Sequence, residues 1–169
     1  MKHYYLFNNA SRATQYGIGT YLNQLSHGLK EEAKVSIISI NSDKEEVKST
    51  EDNGIRTIHI PKISYKNSSD NFQRYYRNLI YLLKTFISEE EAVFMLNYLY
   101  MTPLVKLLHE HFLNCKVVAV VHYLNWCLAL NGNVSKFHQL LESKHRDKKE
   151  EVLYEEYLND RKLLQGVDK

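Results

Sequence analysis

The chain has 169 residues, 44% of them hydrophobic and 25% charged, with a formal net charge of +2, the profile of an average water-soluble globular domain long enough to bury one sizeable core. No run approaches the ~20 apolar residues that a membrane-spanning helix needs, and the first apolar segment ends at Asn8-Asn9, too early for the core of a secretory signal. Lysines and arginines are scattered among acidic residues rather than gathered into a basic stripe, which argues against nucleic acid as a partner, and Cys115 and Cys127 lack C-x-x-C spacing, which fits reduced, buried thiols in a cytoplasmic protein.

Residues 3–8 read as a strand. After a polar loop through Ser11 and Arg12, the residues Ile18, Tyr21, Leu22, Leu25 and Leu29 recur at helical spacing. The β-branched run 35–40 and the alternating segment 55–60, closed by Pro61, which has no N–H to give to a ladder, predict two more strands. The polar connection 41–54 between them is expected to be solvated, with Asn53-Gly54 suited to closing a hairpin. Phe72, Tyr75, Tyr76, Leu79, Ile80, Leu83, Phe86 and Ile87 mark a long helix over 71–88 with Asp70 as its cap and Arg74, Arg77 and Lys84 on its surface.

The apolar run 92–96 predicts a strand, residues 102–112 a helix with Pro103 in its first turn, and 116–121 a further buried strand. Unbroken apolar strands alternating with amphipathic helices are what a parallel sheet covered on both faces requires. The expected architecture is therefore α/β: a Rossmann-like, doubly wound, mainly parallel sheet of about five strands, a usual size, in a single domain. The tail 135–166 reads as helical and highly charged, with Leu153, Tyr157, Leu158 and Leu164 as a thin apolar stripe, and charge runs such as 144–151 are expected to be solvated faces. Most of the thirteen tyrosines are expected to pack their rings and leave the hydroxyl near water.

In open parallel sheets ligands bind beyond the carboxyl ends of the strands, and three segments fall there. Tyr16-Gly17-Ile18-Gly19-Thr20-Tyr21 opens the first helix, where unpaired N–H groups attract phosphate or sugar oxygens. The dinucleotide fingerprint needs a small residue three positions after Gly19 and finds Leu22, which disfavours a nicotinamide cofactor. Asn97-Tyr98-Leu99-Tyr100 follows the 92–96 strand, and Asn97 can both donate to and accept from a hydroxyl or satisfy its own turn. Val121-His122-Tyr123-Leu124-Asn125-Trp126 delivers a titratable ring at a strand end, suited to acid–base work, and then an indole. No H-E-x-x-H motif occurs, and His109 and His111 point to different sides of their helix, so no metal site is expected. The absence of G-x-S-x-G and of a G-x-x-x-x-G-K-[ST] loop removes the usual hydrolase and nucleotide-hydrolase signatures.

The order of these segments resembles the first domain of GT-B glycosyltransferases of family 4. Gly17-Ile18-Gly19-Thr20-Tyr21-Leu22-Asn23-Gln24-Leu25 is similar to that family's helix opening, Asn97 and His122 stand where it places polar residues or histidine after successive strands, and residues 163–169 look like the approach to its next strand. The resemblance implies that residues 1–169 are the amino-terminal, acceptor-side half, with the nucleotide-sugar site and the E-x7-E motif in a further domain. Glu142 and Glu150 match that spacing by chance, within the charged tail and without the surrounding glycines. It further implies transfer of a hexose from a nucleotide-sugar to an acceptor hydroxyl on a glycan or lipid-linked glycan, with retention and without a cofactor or metal. The fragment alone is expected to be inactive. His122 would contact the transferred sugar, Gly17, Ile18 and Gly19 would line the cleft near the donor phosphates, Asn97 and Tyr98 would meet the acceptor, and Trp126 would form a stacking wall. The basic helix 71–88 offers a place for peripheral contact with the inner face of an anionic membrane, although its mixed aromatic character favours simple packing. A flavodoxin-like binding module, or a non-catalytic partner subunit, would share the same order of strands and helices.

Overall fold

The computed structural model describes residues 1–11, 17–62, 69–87 and 91–168. Each apolar run becomes a strand: β1 (His3–Asn9), β2 (Lys34–Ser42), β4 (Ile55–Pro61), β5 (Ala92–Leu96) and β6 (Lys116–Ala119). Between β2 and β4 the polar connection forms a sixth strand, β3 (Lys48–Asp52), antiparallel to β4. It escapes the apolar pattern because all five of its residues are exposed at the sheet edge. Asn53 and Gly54, with φ of 50° and 77°, close the hairpin with two consecutive left-handed residues, the geometry that Asn-Gly adopts most readily.

The sheet order is β3-β4-β2-β1-β5-β6, and every neighbouring pair except β3–β4 is parallel. Counting the parallel strands alone gives the order 3-2-1-4-5, that of a Rossmann-like sheet and not the 2-1-3-4-5 of flavodoxin. The chain moves one way from β1 to β2 and the other way from β4 to β5 and β6. Right-handed crossovers then put α1 (Ile18–Leu29) on one face and α2 (Ser69–Phe86) and α3 (Thr102–His111) on the other. Packing agrees, since α1 lies on β1 and β2 while α2 and α3 pack together.

Coverage on both sides explains why Tyr5, Leu6 and Phe7 are consecutive yet all buried: successive strand side chains point to opposite faces. Tyr5 and Phe7 meet Phe94, which in turn meets Phe112 after α3, with ring centroids 5.4, 6.3 and 5.1 Å apart. On the α1 side Ile18 and Leu22 are fully enclosed with Leu6. The helix α2 begins at Ser69, one residue before the expected cap Asp70, ends at Phe86, short of the expected end at residue 88, and buries Tyr75, Tyr76, Leu79, Ile80 and Leu83. Arg74, Arg77 and Lys84 are exposed as expected. Among the described residues no helix is long and apolar enough to cross a membrane.

After β6 comes a short helix, α4 (Asn125–Ala129), and the charged tail then forms two helices, α5 (Val134–Glu142) and α6 (Lys148–Gly166). Asn133 caps α5 through a bond from the Lys136 amide. Arg146 ends it by donating to the carbonyls of Leu140 and Leu141 while stacking 3.6 Å from the Tyr154 ring centre. Asp147 opens α6 with a capping box, accepting from the amides of Lys149 and Glu150 while the Glu150 carboxylate accepts from its own amide at 3.0 Å. The Glu142 and Glu150 pair thus belongs to helix termini. Asp147→Ala is expected to cost about 1 kcal/mol, read as a lowered urea midpoint with an unchanged slope. Beyond α6, Asp168 lies along the edge of β6, its N–H donating to Val117 O and its carboxylate accepting from Val117 N–H, both at 2.7 Å.

Candidate functional site

The order of the parallel strands reverses between β1 and β5, and their carboxyl ends open a crevice at that switch point, where α/β sheets hold their ligands. A cleft of about 860 Å³ lies there. Its walls come from the ends of β1 and β2 (Asn9, Asn41), the segment after β5 (Asn97, Tyr98 and Tyr100 among others), the segment after β6 (His122, Tyr123 and Asn125 among others) and α6 (Glu156, Asp160).

Asn97 is the centre of the crevice. It is 2% exposed, and its Nδ2 donates to the carbonyls of Phe7 at 3.0 Å and Met95 at 3.3 Å, tying β1 to β5 at the point where their ladder ends. Those two bonds fix the orientation of the amide: Oδ1 must be the atom 3.3 Å from His122 Nε2. An amide oxygen only accepts, so Nε2 carries the hydrogen, and in the neutral ring Nδ1 is left as a base aimed away from Asn97. Partial burial lowers the His122 ring below the ordinary histidine value, which keeps it neutral near pH 7. The edge of Tyr21, in the first turn of α1, packs against the ring at a centroid distance of 5.0 Å. That contact brings the amino-terminus of α1 beside His122.

The left wall of the crevice is equally well bonded. Asn9 donates from Nδ2 to the Tyr100 hydroxyl, and its Oδ1 accepts from the Ser11 amide and hydroxyl, at 3.2 and 2.8 Å, and from Asn41. The Tyr98 hydroxyl donates to Asn8 Oδ1 at 3.3 Å. Burial pushes the Tyr76 phenol, behind Tyr100, well above its ordinary value. Amides and phenols that already hold one another in place present fixed donors and acceptors at low reorganisation cost.

The sequence-predicted residues fall into three groups. His122, Asn97 and Tyr98 meet at the crevice and line it. Gly17 and Gly19 flank the start of α1, close to His122 through Tyr21, but are not lining residues of the cleft. Gly17 has φ of 67° at the cap position with open space where a Cβ would stand, so its glycine is required by the left-handed backbone rather than by a close approach. Gly17→Ala is expected to cost about 1 kcal/mol, read as a lower thermal midpoint. Ile18 is 1% exposed and belongs to the core. Tyr16 and Arg12 lie outside the described residues.

Trp126 corrects an expectation. Its ring is stacked on Phe137 of α5 at 4.5 Å and met edge-on by Tyr157 of α6 at 5.7 Å, so its faces hold the tail helices to α4 and do not wall the cleft. The charge run 144–151 is a solvated face as expected, exposed at every position but Arg146, while part of α6 beyond it lines the cleft. The sequence showed charge at Glu156, Asp160 and Lys162 but not that α6 would lie across the crevice. Burial raises the Asp160 carboxyl above the usual range, the Trp126 indole N–H acts in the opposite direction, and Glu156 one turn away adds to the rise. The indole Nε1 is buried and completes no hydrogen bond of regular geometry among the described groups.

Both thiols are free and half-buried. Burial, with Asp168 nearby, raises the Cys115 thiol, which suits a structural role. Cys115 sits 3.9 Å from His109 Nδ1, and His109 Nε2 lies 3.7 Å from Asp168, while His111 packs against Tyr81, so the two histidines do separate as their helical spacing requires. Among the described residues no three metal-ligating side chains converge.

Comparison of the chain with protein-family models, curated proteins and solved structures finds no match.

Proposed function

We propose that this Rossmann-like unit is the acceptor-binding half of a glycosyltransferase, with the switch-point cleft receiving a hydroxyl-rich sugar acceptor and a nucleotide-sugar donor supplied by a further domain. The observation that carries the reading is the coupling of His122 to Asn97. A neutral imidazole, its tautomer set by a buried amide so that Nδ1 is the ring's acceptor, lines a cleft together with asparagines and tyrosines. Such a wall recognises hydroxyls through paired donors and acceptors and lets a sugar ring rest on aromatic surface. In the transfer step Nδ1 would accept the hydrogen bond of the acceptor hydroxyl and hold the oxygen toward the donor carbon. Several kcal/mol of barrier lowering by orientation are available to such an arrangement. The amino-terminus of α1, beside His122, is suited to the donor phosphates by its unpaired N–H groups. The order of Gly17, Asn97 and His122 along the chain also resembles that of family 4 GT-B enzymes.

The test is a heteronuclear NMR titration of the chain with methyl glucoside, galactoside and mannoside, and in parallel with uridine diphosphate and with nicotinamide adenine dinucleotide. Binding of at least one glycoside at about millimolar affinity, with the His122 ring signals shifting, is the expected result. Tight binding of the dinucleotide, or no response to any glycoside, would sink the proposal.

A further inference from the structure

We infer that Asp160, on α6, accepts hydroxyl hydrogens from the ligand of the switch-point cleft and makes that cleft select an uncharged sugar over an anionic one. The inference rests on the reading of the cleft as an acceptor site and adds a residue and a selectivity to it.

The placement of α6 is firm. Leu163 is fully buried, Thr102 Oγ1 donates to the Asn159 carbonyl at 3.3 Å, and Asp168 holds the strand edge of β6 with two bonds. The helix can therefore serve as a fixed wall rather than a loose flap. Asp160 lines the same cleft as His122, Asn9 and Asn97, and its side chain forms no ion pair within 4.0 Å among the described residues. Its one identified neighbour with a hydrogen to offer is the Trp126 indole, which Phe137 and Tyr157 lock in place.

A half-buried carboxylate beside an indole N–H and without an ion pair retains several acceptor positions, and a sugar's hydroxyls are donors at the spacing a carboxylate's two oxygens accept. Glu156 places a second carboxylate on the same wall. A uronate or phosphate brought there meets like charge, which opposes binding. Lys62 and Lys162 also line the cleft but are exposed, and lysine heads in that position stay hydrated.

Methyl glucoside, methyl galactoside, methyl mannoside and methyl glucuronide, titrated into the wild type and into Asp160→Asn, test this directly by NMR. The wild type is expected to bind a neutral glycoside and to reject the glucuronide. Asp160→Asn should bind the neutral sugar about tenfold more weakly, the usual effect of losing a hydrogen bond to a charged group, while the gap to the glucuronide narrows. Asp160→Glu, which keeps the charge but displaces the oxygens, should lose neutral-sugar affinity and keep the discrimination, and it supplies the answer if the asparagine variant does not fold. Unchanged binding of both sugars by both variants, in a protein where His122→Ala does weaken the neutral sugar, would overturn the role of Asp160 and leave the acceptor site standing. Failure of the wild type to bind any neutral glycoside would overturn both.

Discussion

Asn97→Asp is expected to destabilise the chain by about 3 kcal/mol, the range for leaving buried polar groups unsatisfied beside a new buried charge, and to detach His122 from the sheet. The native amide donates two hydrogen bonds, to Phe7 O and Met95 O, at a position 2% exposed. A carboxylate has no hydrogen to give and would face both carbonyls with negative charge. It can escape only by taking up a proton, which supplies one donor where two were needed. Denaturation in urea followed by circular dichroism measures the loss, and a midpoint within error of the wild type would show that Asn97 does not join β1 to β5. Asn97→Ser removes the charge and is expected to cost less, since a hydroxyl can still satisfy one carbonyl. The comparison separates the cost of the new charge from that of the lost donors.

The strands were legible because burial on both faces leaves an unbroken apolar run: residues 92–96 are buried at four of five positions and form β5 at the bounds the pattern predicts. β3 was not, since its Lys-Ser-Thr-Glu-Asp edge contributes nothing to the core; only Asn53-Gly54 pointed to it. The crevice was half legible. Strand-end position singled out Asn97 and His122, and the structure brings them within 3.3 Å across 25 residues of chain. The contribution of α6 was hidden because its apolar stripe is thin and its charges look the same whether they face water or a cleft. What decides between those outcomes is the aromatic cluster of Trp126, Phe137 and Tyr157, a tertiary contact with no local periodicity. The same cluster explains why the indole expected at the ligand is engaged elsewhere.

Binding of a neutral glycoside should be independent of pH from about 8 down to the ordinary histidine value of roughly 6.5 and should fall only below it. The lone pair of His122 Nδ1 is the acceptor in the proposed complex, and burial lowers the pKa of the ring, so the neutral form persists to lower pH than in an unfolded chain. Once the ring is protonated Nδ1 becomes a donor, and the hydroxyl must reverse its bond or leave. The same shift acts on stability. A folded-state pKa below the unfolded one means that the contribution from His122 is present above the unfolded value and is lost as pH falls through the folded one. His122→Ala should weaken the glycoside by about tenfold, the effect of one hydrogen bond near the upper end of the neutral range, and should remove the acidic fall in binding that the ring causes. Proton NMR of the ring against pH, run beside the binding titration, links the two. If the ring titrates below the ordinary value while binding shows no inflection at the same pH, His122 is a structural neighbour of Asn97 and the hydroxyl is held by the asparagines and tyrosines alone.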